Sequence, residues 1–151
     1  MSLDSASTNE DTLTLESKLS EILRIPLWLQ SLATRDGISE RTQFGMDLCL
    51  EEVLSNIIQH GYARTPHRRI LVRYGKPQEG TFTLIVEDEA PPFNPLLFPD
   101  SAIPHPPGQL SHGGRGIHLL KQFADTLNYE QTPTGNRLTI SFVRPESIPQ
   151  D

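Results

Sequence analysis

At 151 residues, 36% hydrophobic and 21% charged, the chain has the size and composition of one soluble globular domain, with a core large enough to need no covalent staples. A formal net charge of -6 and a pI near 5.3 argue against a nucleic-acid partner, and the one basic knot, His67-Arg68-Arg69, is too short to reverse that. A single cysteine, Cys49, rules out an internal disulfide and a Cys-cluster zinc site and fits a reducing cytosol.

Residues 1–10 are rich in Ser, Thr, Asn and Asp without periodicity, and a disordered start is expected there. The stretch to Asp11 has neither a basic n-region nor an apolar h-region, so it does not read as a signal peptide. No run is apolar over the length that spans a bilayer. The expectation is a cytoplasmic protein with no membrane contact.

Thr12-Leu-Thr-Leu15 alternates and predicts a short strand. A helical pattern follows from about Ser17 to Thr34, which Pro26 should kink or break, and Asp36-Gly37 ends it with a residue suited to the left-handed position. Ser39 is a plausible N-cap for a long second helix that Gly61 would stop.

Arg69 to Tyr74 and Thr81 to Glu87 read as a hairpin around a six-residue loop, Gly75 to Gly80. Seven of the 13 prolines then fall between Pro91 and Pro107, which excludes helix and central strand and predicts a long lid-like loop over residues 89–112. A third helix is expected over roughly Gly116 to Ala124. A second hairpin is expected from Thr126–Gln131 and Arg137–Val143, and a polar tail over 145–151. With a domain over 11–144, these elements suggest an α+β two-layer sandwich, helices packed on one face of a mostly antiparallel sheet.

Three features carry chemistry. Glu52 and Asn56, four residues apart, share one face of the second helix, opposite the stripe Leu50, Val53, Leu54, Ile57 and Ile58. Phe44 and Leu48 project to that same side, with Cys49 beside it. The helix is therefore expected to be covered on two sides, and an acid and an amide on a covered face suggest a pocket.

Asp88 ends an apolar strand at the mouth of the proline-rich loop. A carboxylate there is commonly a turn-former, but it can also accept a hydrogen bond from an exocyclic amine. Gly113-Gly114-Arg115-Gly116 feeds a helix start, where free N–H groups and the helix dipole favour an anion. By itself that stretch reads more readily as a flexible hinge.

In this order, the Glu-x-x-x-Asn helix, the Asp88-Glu-Ala-Pro-Pro-Phe strand end and the Gly113-Gly-Arg-Gly-Ile117 helix start resemble the N, G1 and G2 boxes of the GHKL ATPases, which share the Bergerat nucleotide-binding fold. Within that superfamily the wording Glu52-Val-Leu-Ser-Asn-Ile-Ile-Gln-His-Gly-Tyr62, together with Gly135-Asn-Arg-Leu138, is most similar to the anti-sigma-factor serine kinases. The resemblance runs from about Thr12 to Val143.

It implies an ATP-dependent serine/threonine kinase that binds Mg-ATP and a sigma factor and phosphorylates a STAS-type antagonist, with a homodimer as the expected arrangement. It further implies Asn56 as the Mg²⁺ ligand, Glu52 as the general base and Asp88 as the partner of the adenine amine. Ala90 would sit by the base, and Gly113, Gly114, Arg115, Gly116 and Ile117 would wrap the phosphates. Two positions depart from the family pattern: Ala90 stands where Gly is usual and threatens to crowd the adenine, and Asn136 stands where several members place Thr. A non-catalytic nucleotide- or partner-binding module of the same fold is the competing expectation. A detached histidine-kinase catalytic domain is a third, and it would need a His-bearing dimerisation helix.

Overall fold

A computed structural model describes residues 10–94 and 120–143. Of the disordered start expected over residues 1–10 only Glu10 is described, and it opens a strand; most of the lid loop, the whole 113–117 glycine segment and the 145–151 tail lie outside the described residues.

Among the described residues five strands form one antiparallel sheet: β1 (Glu10–Glu16), β2 (Arg69–Gln78), β3 (Thr81–Asp88), β4 (Thr126–Thr132) and β5 (Gly135–Val143). Their spatial order is β1-β2-β3-β5-β4, so β5 lies between β3 and β4. Two helices, α1 (Ile25–Asp36) and α2 (Glu40–Asn56), supply the second layer. The α+β two-layer sandwich expected from the sequence is the fold observed.

Period-two patterning decides which face of the sheet meets the helices. Ile70, Val72 and Tyr74 of β2, Phe82, Leu84 and Val86 of β3, and Leu138, Ile140 and Phe142 of β5 are each at most 2% exposed. Burying one such side chain is worth about 2 kcal/mol. A one-residue slip of any strand would turn its three core residues outward, so the register is strongly specified. The other face carries a charge ladder across four strands: Arg73 meets Glu87 at 3.2 Å, Glu87 meets Arg137 at 2.7 Å, and Arg137 meets Glu130 at 3.1 Å.

Several expected boundaries shift. The helix expected from Ser17 to Thr34 is two elements, a 3₁₀ helix Leu19–Arg24 and then α1. The break is where Pro26 was expected to put it: proline sits in the first turn of α1, where its missing N–H is not needed. Gly37 takes the left-handed position with φ 70°. Both hairpins are tighter than expected. β2 continues through Gly75 to Gln78 by way of a bulge that accommodates Pro77, and only Pro133 and Thr134 separate β4 from β5. Of the third helix, Leu120 to Phe123 are described as helical.

Candidate functional site

The helix α2 starts on Ser39, whose Oγ accepts the Thr42 N–H at 3.2 Å. Its sheet-facing stripe is Met46, Leu50, Val53 and Leu54, all fully buried. About 100° round the axis runs a second stripe, Gly45, Cys49, Glu52 and Asn56. It is not the solvated face that an acid and an amide would ordinarily mark.

Cys49 is fully buried and its thiol is pushed up to about 12 by that burial, so it packs and does not react. At Gly45 the ring of Phe123 takes the space a side chain would need, because a Cβ there would fall 2.8 Å from the ring and 2.9 Å from the Phe123 Cβ. Phe44 meets the same ring edge-on at 5.9 Å. The end of the third helix therefore rests on the Glu52 and Asn56 stripe, two turns before Glu52. The second covering layer expected for α2 is present at this point, although Phe44 itself remains 57% exposed.

Glu52 is half-buried, with its Oε2 enclosed. Asn56 is only 6% exposed. No hydrogen bond among the described residues uses its carboxamide. After Asn56 the backbone ladder widens into a π-helix, Ile57–Gly61, a form found disproportionately at functional positions.

The strand end bearing Asp88 is built against this widened turn. A Cβ on Gly61 would fall 3.1 Å from the Phe93 ring and 3.7 Å from the Ala90 methyl, so the absent side chain makes room for the segment that follows Asp88. The His60 ring lies 6.5 Å from that of Phe93; burial, then the nearby Arg64 charge, lowers its pKa and favours the neutral imidazole. The Tyr62 hydroxyl donates to the Arg69 carbonyl at 2.6 Å and accepts the Glu89 N–H at 2.7 Å, tying the helix end to β2 and to the residue after Asp88. From Gly61 back to Asn56 is roughly 7 Å of helix rise, which puts Asp88 and Asn56 in one neighbourhood.

Asp88 is also 6% exposed. Its Oδ1 accepts the Ala90 N–H at 2.9 Å and the Asn136 amide at 2.8 Å. Burial raises its pKa, and those two hydrogen bonds oppose the rise. Asn136 stands directly opposite Asp88 in the β3–β5 register. Beside it, a Cβ on Gly135 would fall 1.9 Å from the Asp88 carbonyl oxygen, so no larger residue fits that turn as it stands.

Among the sequence-predicted site residues, Glu52 and Asn56 share one stripe of α2, and Asp88 and Ala90 meet the end of the same helical run. Ala90 is buried with its methyl toward Gly61. Gly113, Gly114, Arg115, Gly116 and Ile117 lie outside the described residues. The positioning roles of Tyr62, Phe93 and Gly45 escaped the sequence reading. The one available signal was Gly45 itself, a helix-weakening residue inside an otherwise strong helix pattern.

Three comparisons place this architecture among known proteins. The chain is 28% identical over 143 residues to the serine/threonine-protein kinase BtrW of Bordetella bronchiseptica, covering 93% of this chain and 99% of that protein. It is 26% identical over 110 residues to the serine-protein kinase RsbW of Bacillus subtilis, covering 70% of this chain and 68% of that one. Among solved structures it is similar to the blue-light activated histidine kinase EL346 of Erythrobacter litoralis, with a TM-score of 0.53 and 18% identity over 85% of this chain. The chain spans only 43% of that kinase, so the likeness is one of fold. No described helix is long and apolar enough to cross a membrane. Residues 15–142, from the end of β1 nearly to the end of β5, match one family along their length: the chain belongs to the histidine kinase-like ATPase domain family.

Proposed function

We propose that this domain binds Mg-ATP between α2 and the Asp88 strand end and transfers the γ-phosphoryl group to a serine or threonine hydroxyl of a STAS-type antagonist, within a partner switch that also includes a sigma factor. The observation that carries the reading is Asn56: a residue only 6% exposed, whose carboxamide no hydrogen bond among the described residues uses, one turn from Glu52 on the same stripe. An amide whose hydrogen-bonding capacity no described residue uses stays available to a bound ion or ligand. An amide oxygen is a suitable hard donor for Mg²⁺, so the residues present fit the metal.

When bound, the metal would neutralise phosphate charge as the phosphoryl group moves. Asn56 would hold it. Glu52 would take the proton from the attacking hydroxyl. Asp88 would accept the exocyclic amine of the base, and Gly113, Gly114, Arg115, Gly116 and Ile117 would enclose the phosphates beneath the 89–112 segment. The two kinase relatives support the reaction type, and they match this chain over most of their own length.

The test is phosphotransfer from labelled Mg-ATP to candidate antagonist proteins. Glu52→Ala is expected to leave nucleotide affinity within about threefold and to slow transfer by at least about 100-fold, the lower bound for a general base. Transfer at the wild-type rate would remove Glu52 from that role. A wild-type protein that binds ATP, seen as a raised unfolding midpoint, yet phosphorylates no antagonist would favour the non-catalytic binding module.

A further inference from the structure

Asn136 lies on the strand beside Asp88, is 2% exposed, and uses both ends of its carboxamide. Its Nδ2 donates to Asp88 Oδ1 at 2.8 Å, to the Pro91 carbonyl at 3.1 Å and to the Ala90 carbonyl at 3.3 Å. Its Oδ1 accepts the Phe93 N–H at 2.9 Å and the Tyr129 hydroxyl. The amide orientation follows from this set: a flip would set an oxygen against three acceptors and an NH₂ against two donors. The Tyr129 hydroxyl and the Phe93 N–H thereby hold Nδ2 on the carboxylate.

With the Ala90 N–H also on Oδ1, that oxygen already has two donors, about its full complement. Among the described residues no donor meets Oδ2. A ligand amine approaching Asp88 would therefore find one oxygen occupied and the other open. The same amide ties down the backbone of residues 90, 91 and 93, which fixes the direction in which the open oxygen faces.

We propose that Asn136 is a specificity-determining positioning residue: by saturating Oδ1 of Asp88 it leaves Oδ2 as the acceptor for an exocyclic amino group, and so sets the preference for 6-amino over 6-oxo purine nucleotides. The inference rests on the nucleotide-binding reading above. It assigns selectivity to a side chain that need not touch the base itself.

The experiment compares the affinities of the full chain for ATP and inosine triphosphate, which differ at the purine 6-position. Wild type is expected to favour ATP by at least about tenfold, the worth of one hydrogen bond to a charged acceptor. Asn136→Leu keeps the shape without the hydrogen bonds, and is expected to shrink that ratio to about threefold or less. Tyr129→Phe, which removes one of the two groups orienting the amide, should shift the ratio the same way by a smaller factor and keeps the proposal testable if the Leu variant does not fold.

A second readout is pH. Removing the amide takes away a bond that favours the ionised carboxylate, so ATP affinity in Asn136→Leu should begin to fall at a higher pH than in wild type. Equal weakening of both nucleotides, with ratio and pH profile unchanged, would show a merely structural residue and overturn the proposal. If wild type binds neither nucleotide, the nucleotide reading fails and this inference with it; if wild type binds ATP and only the ratio in the variants is unmoved, this inference alone fails.

Discussion

Asp88 and Asn56 are buried to the same extent, 6% each, and their surroundings differ. Around Asp88 the Ala90 N–H, the Asn136 amide and, one residue on, the Tyr62 hydroxyl are all in place. Around Asn56 no hydrogen bond among the described residues engages the side chain; its position comes from helix periodicity. Hydrogen bonds to a buried carboxylate fix its direction before any ligand arrives. An amide held by backbone geometry alone keeps its bonding capacity for whatever comes. One side of the site is thus finished by the fold, and the other is left to be completed.

Three substitutions probe that difference. Gly135→Ala acts on the finished side and should have the largest effect, because its methyl would meet the Asp88 carbonyl oxygen at 1.9 Å and the Glu89 Cα at 2.7 Å. Backbone on both sides has no rotamer to yield, so a loss of about 3 kcal/mol or more is expected, the upper end for overpacking. Denaturant unfolding measures it, and an unchanged midpoint would mean that the turn moves freely.

Tyr62→Phe removes two hydrogen bonds that fasten the helix end to β2 and to Glu89. The expected cost is about 2 kcal/mol. Proton exchange at the Glu89 amide, which loses its acceptor, should accelerate by more than the loss of global stability accounts for, while exchange at Val72 and Leu84 in the sheet centre should follow that loss.

Gly45→Ala acts on the other side and sets two effects against each other. Alanine favours the helix by about 1 kcal/mol, but its methyl must displace Phe123 from 2.8–2.9 Å at about 1–3 kcal/mol. A net loss of about 1 kcal/mol is expected. Combined with Phe123→Ala, which empties the notch, the same Gly45→Ala change should become neutral or stabilising; a double-mutant cycle reads the coupling.

The parts of the molecule that were legible in the sequence are those set by local rules. Ser39 caps α2, Gly37 closes α1 in the left-handed conformation, and Pro26 begins α1 after a break, because each requirement is met within a few residues of chain. The hairpin ends were misjudged because Gly75 to Gln78 carries turn-like residues whose pairing is decided by β3. Likewise Gly135 and Asn136 read as loop until β3 is placed alongside them. Asn136 illustrates the limit best. The sequence marks it as a departure from the family pattern, but its five hydrogen-bonding neighbours come from residues 88 to 93 and from Tyr129, which only the register brings together. The helix-borne pair Glu52 and Asn56 needed no such information, since four-residue spacing alone aligns them.

Gly45 and Gly61 lie 16 positions apart on one continuous helical run, about 24 Å along its axis, and each receives a phenylalanine: Phe123 at the first, Phe93 at the second. Those two rings stand at the opposite roots of the β3–β4 connection. The described ends of that connection are thus moored fore and aft to a single spar, each by one ring set against a glycine.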